Sequence, residues 1–169
     1  MNNVKISVMP VHDRTLWEMI KPKSEIILSL EERISIICKS LDGLIYLQKK
    51  KLLHLDIKPS NIMLDLSGNG NWNRETVILT DFGLCTKFEV LSGEAGTPGY
   101  GSPEQFLGRP TEQSDNFAVG KLGIITMFPW EDAWHLLRQP LKDGEGNPVT
   151  SIPELKIFHE AISSLLDVS

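Results

Sequence analysis

His54-Leu55-Asp56-Ile57-Lys58-Pro59-Ser60-Asn61 sets a carboxylate, a lysine and an amide within one short stretch. Asp81-Phe82-Gly83 adds a second carboxylate after a hairpin-like interval. These residue types suit the movement of a phosphoryl group. Such transfer is mostly positioning, plus neutralisation of the negative charge spread over the phosphoryl oxygens. Asp56 could take the proton of a hydroxyl, and Lys58 could steady the phosphate. Asn61 and Asp81 offer hard oxygen ligands of the kind Mg²⁺ takes.

The rest of the chain must hold these groups in place. Residues 4–9 alternate, with Val4, Ile6 and Val8 on one side, which predicts a strand ended by Pro10. Asp13 is the expected N-cap of a short helix through Leu16, Trp17 and Ile20, closed by Pro22. Ser29-Leu30-Glu31-Glu32 fits a capping box. The helix it opens carries Ile34, Ile37, Cys38, Leu41, Leu44 and Ile45 as one apolar stripe. Residues 62–65 and 77–80 are short apolar runs around the turn formers of 67–73, a β-hairpin pattern. Residues 117–128 predict a buried helix with Asp115 at its start, where an N-cap is the plain reading. Trp130 and Trp134, a polar loop over 140–148 and an amphipathic helix over 154–166 complete the chain.

These stretches resemble a family. HLDIKPSN resembles the catalytic loop of protein kinases, H-R-D-L-K-P-x-N, and Asp81-Phe82-Gly83 matches their D-F-G. Residues 96–104 (GTPGYGSPE) look like the end of a kinase activation segment, with Ser-Pro-Glu for Ala-Pro-Glu. Asp115 to Gly120 is similar to the D-x-x-x-x-G that follows. The resemblance implies a mainly α fold with small β-hairpins, a protein-kinase-like C-lobe. It implies ATP and Mg²⁺ as cofactors and a protein substrate. Asp56 and Lys58 become the catalytic pair, and Asn61 and Asp81 the metal ligands. Met63 and Thr80 would line the adenine pocket, and Val11 would offer hinge backbone to the adenine. Asp115 would hydrogen-bond the catalytic-loop backbone. Lys58 and Thr97 resemble the serine/threonine pattern.

Composition sets bounds. With 169 residues and 41% hydrophobic content, one globular core is attainable. A net charge of −5 and the lack of a basic block argue against nucleic acid as a partner. Lys49-Lys50-Lys51 falls at a helix end, where it meets the helix dipole and water. No run approaches membrane-spanning length, so no membrane partner is expected. The two cysteines, Cys38 and Cys85, make no disulfide framework. They fit a reducing cytoplasmic or nuclear compartment, as does a start without signal-peptide pattern.

The expected organisation is a partial protein kinase domain over 1–169, with a hinge strand over 1–12 and a C-lobe over 13–169. No G-x-G-x-x-G is present: Gly68/Gly70, Gly99/Gly101 and Gly144/Gly146 are followed by Asn73, Glu104 and Val149 at the third position. Lys5 lies too close to Asp56 to be the phosphate-binding strand lysine and reads as an exposed strand residue. The N-lobe is therefore expected to be absent. Two departures stand inside the matched part. The arginine of H-R-D is Leu55, which cannot receive an activation-loop phosphate. Glu104 lacks the arginine that follows residue 169 in the family pattern, and a buried carboxylate without a partner is costly. The expectation is phosphoryl transfer to protein Ser/Thr hydroxyls, weak in this chain alone. The alternative is a non-catalytic mimic that docks on another kinase lobe.

Overall fold

The computed structural model describes residues 14–66, 72–88 and 96–128. The expected strand over 4–9, Lys5, Val11, Asp13, most of the hairpin tip, residues 89–95 and everything from 129 onward lie outside the described residues.

Strand β1 (Arg14–Thr15) runs straight into helix α1 (Leu16–Ile20). The N-cap is Thr15, not the expected Asp13. Thr15-Leu16-Trp17-Glu18 is itself a capping box: the Glu18 N–H donates to Thr15 Oγ1 at 3.3 Å, and the Thr15 N–H donates to Glu18 Oε2 at 2.8 Å. Two orphan donors satisfied reciprocally outcompete a cap placed two residues earlier.

Helix α2 (Leu30–Lys49) starts where its capping box predicts. The Glu32 N–H reaches Ser29 Oγ at 3.2 Å, and the Ser29 N–H reaches Glu32 Oε2 at 2.7 Å. Ile34, Ile37, Leu41 and Leu44 are buried, as their spacing requires. Cys38 is half-buried. Ile45 departs from the expectation at 40% exposed, because it sits one residue round from Leu44 and beyond the edge of the stripe.

Strand β2 (Leu52–Leu53) leaves α2 and leads into the 54–61 loop, which ends in a 3-10 turn at Pro59–Asn61. Strands β3 (Ile62–Leu66) and β4 (Trp72–Leu79) form the expected antiparallel hairpin, with Met63 opposite Ile78. Strand β1 adds to its other side, Thr15 opposite Met63. A second 3-10 turn at Phe82–Leu84 precedes strand β5 (Thr86–Lys87), which pairs back with β2. The 54–61 loop is thus bracketed by a small sheet at each end.

Helix α3 (Pro103–Phe106) is one turn. Helix α4 (Glu112–Met127) begins earlier than the apolar run at Phe117 suggests. Its N-cap is Thr111, so Asp115 lies inside the helix and does not cap it. Its first turn is polar, which hides its start from a hydrophobic pattern. The core joins α1, α2, the hairpin and α4 through Leu16, Ile37, Leu44, Ile62, Leu64 and Leu122. Among the described residues, no helix is long and apolar enough to cross a membrane.

Asp115 ties this core to the loop. Fully buried, it accepts the His54 N–H at 2.7 Å on Oδ2 and the Leu55 N–H at 2.8 Å on Oδ1. Leu55 has φ +66°, a left-handed conformation that costs a leucine about 1–2 kcal/mol. The Gln105 amide, buried in α3, donates to the Leu55 carbonyl at 2.6 Å from the other side. Gly96, at φ +117°, leaves the room this amide needs: a Cβ there would meet Gln105 Nε2 at 2.3 Å.

Two stability predictions follow from these contacts. Ser29→Ala should lower unfolding free energy by about 1 kcal/mol through loss of the α2 cap. Asp115→Ala should cost more, about 1–3 kcal/mol for each backbone N–H left buried and unpaired. Urea unfolding midpoints of the purified protein check both, and the order of the two variants is the decisive comparison.

Candidate active site

Asp56 is half-buried, and both oxygens of its carboxylate are engaged. Oδ2 accepts from Lys58 Nζ at 2.8 Å and from Asn61 Nδ2 at 3.0 Å. Oδ1 accepts from the Thr97 hydroxyl at 2.5 Å. Lys58 Nζ also donates to Thr97 Oγ1 at 2.8 Å, closing a ring of Asp56, Lys58 and Thr97. Asn61 Nδ2 reaches the Asp56 carbonyl as well, at 2.8 Å, so the amide spans the loop from end to start. Burial pushes the Asp56 carboxyl up. The bonds from Lys58 and Thr97 outweigh it and hold the group below the usual carboxylate range. Asp56 is therefore ionised at neutral pH.

The loop is built for this. Pro59 fixes φ at the start of the 3-10 turn that brings Asn61 back beneath Asp56. His54 is buried and accepts the Asp56 N–H on Nδ1 at 3.3 Å. Nε2 then carries the proton and donates to the Thr80 carbonyl, 3.0 Å away. The His54 ring also lies 5.0 Å from that of Phe82.

Thr80 links the second carboxylate to the first. Its N–H donates to the Asn61 carbonyl at 2.9 Å, and its hydroxyl donates to the same oxygen at 3.2 Å. Asp81 follows directly, exposed, at φ +61°. Its Oδ1 accepts the Gly83 N–H at 3.3 Å, a local turn that sets the side chain. Among the described residues, Asp81 makes no hydrogen bond to Asp56, Lys58 or Asn61. It reaches them only through the Thr80 backbone. Met63 is half-buried in β3.

The expected site residues therefore divide. Asp56, Lys58 and Asn61 are in direct contact, Thr80 touches Asn61, and Asp81 stands next in the chain. Val11 lies outside the described residues. Sequence reasoning gave Thr97 no contact and missed Gln105 altogether. The Thr97-Pro98 pair marked the region, but nothing in the spacing shows that a hydroxyl 41 residues on closes against Asp56. Glu104, expected to suffer for want of an arginine, is half-buried and accepts the Ser114 hydroxyl at 2.8 Å.

The donor set bears on a metal. Among the described residues, no three His, Cys, Asp or Glu side chains gather into a cage. Asn61 spends its Nδ2 on Asp56, leaving Oδ1 at the far end of the amide, and Asp81 Oδ2 is the oxygen its turn does not use. Two oxygen donors fit Mg²⁺, which keeps waters and substrate phosphates in its shell and seldom takes an all-protein cage.

A family model described as a protein kinase domain matches residues 2–138. The serine/threonine-protein kinase CLA4 of Candida albicans is 35% identical over 136 residues, 74% of this chain and 13% of that protein. A calcium/calmodulin-dependent protein kinase kinase of Caenorhabditis elegans is 33% identical over 144 residues, 75% of this chain and 24% of that protein. The chain thus spans no more than a quarter of these relatives. Among solved structures, the yeast RNA Pol II CTD kinase CTDK-1 complex contains a chain with TM-score 0.59 and 26% identity. The match covers 69% of this chain and 37% of that one. A family model over most of the chain, together with a loop whose carboxylate, lysine and amide meet in one cluster, places this protein in the protein kinase family.

Proposed function

We propose that the chain is the C-terminal lobe of a serine/threonine-type protein kinase, moving the γ-phosphoryl of Mg·ATP to a protein hydroxyl. The observation that carries this reading is the closed cluster of Asp56, Lys58, Asn61 and Thr97. A substrate hydroxyl that takes the place of Thr97 Oγ1 on Asp56 Oδ1 meets an ionised acceptor for its proton. Lys58, bonded to Asp56 Oδ2 and to Thr97 Oγ1, stands beside the place that hydroxyl takes and faces the negative charge that develops on the phosphoryl group. Asn61 fixes the Asp56 carboxylate through Nδ2 and offers Oδ1, with Asp81 Oδ2, to the metal. Mg·ATP, when bound, supplies the phosphoryl group and neutralises its charge. Met63 and Thr80 are the residues we assign to the adenine wall, with Val11 at the hinge. Mg·ATP bound by this chain alone lacks a glycine-rich cradle, so we expect slow turnover from it.

A second reading has one observation in its favour. Phe82 is 47% and Leu84 39% exposed, beside the site, and offer apolar surface to another kinase lobe. A non-catalytic docking module would use that surface and leave Asp56 idle.

Phosphate transfer to a generic protein substrate separates the two. Asp56→Asn should lower it by about 10²–10⁴-fold, the usual share of a positioned base. Transfer insensitive to Asp56→Asn and Asp81→Asn would favour the docking module. The pH profile adds a signed test. Because Lys58 and Thr97 depress the Asp56 carboxyl, transfer should persist below the ordinary aspartate range and fall as pH drops through the lowered value. Lys58→Met should move that acid limb to higher pH, read from kcat/KM against pH.

A further inference from the structure

We propose that Gln105 is a positioning residue for Asp56, acting through the peptide bond that joins Leu55 to it. This rests on the kinase reading above and adds to it a residue that works from α3 through the backbone.

The Leu55–Asp56 peptide is one rigid plane, so its carbonyl and its N–H move together. The Gln105 amide holds the carbonyl end at 2.6 Å. His54 Nδ1 holds the N–H end at 3.3 Å, longer than the ~2.7–3.2 Å of a firm bond. The glutamine is therefore the tighter hold on this plane. A turn of the plane changes φ of Asp56 and swings its carboxylate away from Lys58, Asn61 and Thr97. Asp115 does not prevent that turn. It binds the N–H groups of His54 and Leu55, which belong to the two preceding peptides.

The seat of Gln105 is closely built. The side chain is 1% exposed. Gly96, at φ +117°, packs against its amide, and a Cβ there would overlap Nε2 and come within 3.4 Å of the Leu55 carbonyl oxygen. Gly96 precedes Thr97, so the segment that seats the amide also supplies the hydroxyl on Asp56. Helix α3 is fixed in turn by Ser114, whose hydroxyl donates to Glu104 Oε1 at 2.8 Å. Glu104 and Ser114 are the chain neighbours of Gln105 and Asp115. The amide on the Leu55 carbonyl and the carboxylate on the Leu55 N–H thus come from adjacent residues of one contact between α3 and α4. An apolar side chain in place of the glutamine would leave the carbonyl unpaired, and a carboxylate would repel it.

Amide hydrogen exchange on the isotope-labelled full chain reads this hold without turnover. In Gln105→Met, similar in length but without a donor, the Asp56 N–H should exchange about tenfold or more faster. The His54 and Leu55 N–H groups, bound to Asp115, should keep their protection. They are the internal control, because a loss of overall stability speeds all three together. Phosphate transfer reads the catalytic half. The kcat of Gln105→Met should fall about 10–100-fold, the cost of a reacting group displaced by roughly an ångström, with KM for Mg·ATP within about twofold. Gly96→Ala keeps the glutamine but displaces its amide. It should reproduce both effects and add little to them in the double variant. It decides the matter if Gln105→Met does not fold. Unchanged Asp56 exchange, equal acceleration of the three amides, or Asp56-dependent transfer with kcat unchanged in Gln105→Met overturns the inference. Transfer insensitive to Asp56→Asn overturns the kinase reading instead, so the two fail separately.

Discussion

The structure depends on one buried carboxylate. Asp115, held in α4, takes the N–H groups of His54 and Leu55 at the start of the 54–61 loop. Hydrogen bonds to a charged group are worth about 1.5–3 kcal/mol each. The left-handed turn at Leu55 costs about 1–2 kcal/mol. The two bonds therefore exceed the strain, and the loop adopts a backbone path that its own sequence disfavours. That path matters because Asp56 is the next residue. Its carboxylate faces Lys58, Asn61 and Thr97 only while the preceding residue turns this way.

From that anchor the loop is secured at both ends. His54, fixed by Asp115 through its backbone, uses its ring to bridge the Asp56 N–H and the Thr80 carbonyl. Thr80 returns two bonds to the Asn61 carbonyl. The 54–61 loop and the Asp81 stretch are thus one hydrogen-bonded unit, supported by α2 and α4 beneath. Most of these bonds are short-range in space and long-range in sequence. Their formation waits on the packing of α4, α2 and the hairpin around Leu44, Ile62, Leu64 and Leu122.

Leu55 shows how a departure from the family pattern is absorbed. The position is 2% exposed, its N–H goes to Asp115, and its carbonyl goes to Gln105. The backbone requirement is met by groups on α3 and α4, so the side chain is free to be apolar. An arginine's charge is given up there, and burial of a leucine takes its place.

Much was legible in the residues alone. The α2 capping box and most of its stripe, the hairpin, and the Asp56-Lys58-Asn61 spacing are local signals, and local signals survive folding because they act within a turn or a strand pair. The failures were local too: the Thr15 cap was passed over for Asp13, and the polar first turn of α4 hid its start. What tertiary structure alone decided is which distant groups meet Asp56 and the loop beneath it. Thr97 on Asp56, Gln105 on Leu55, and the shared seat of Trp17 and Tyr100 on Ile125 join segments with no common periodicity. The sequence by itself determined the family, because its motifs and their near spacing are written along the chain. The geometry of the Asp56 cluster came only with the fold, because a hydrogen bond is set by distances in space, and those follow from how the helices pack.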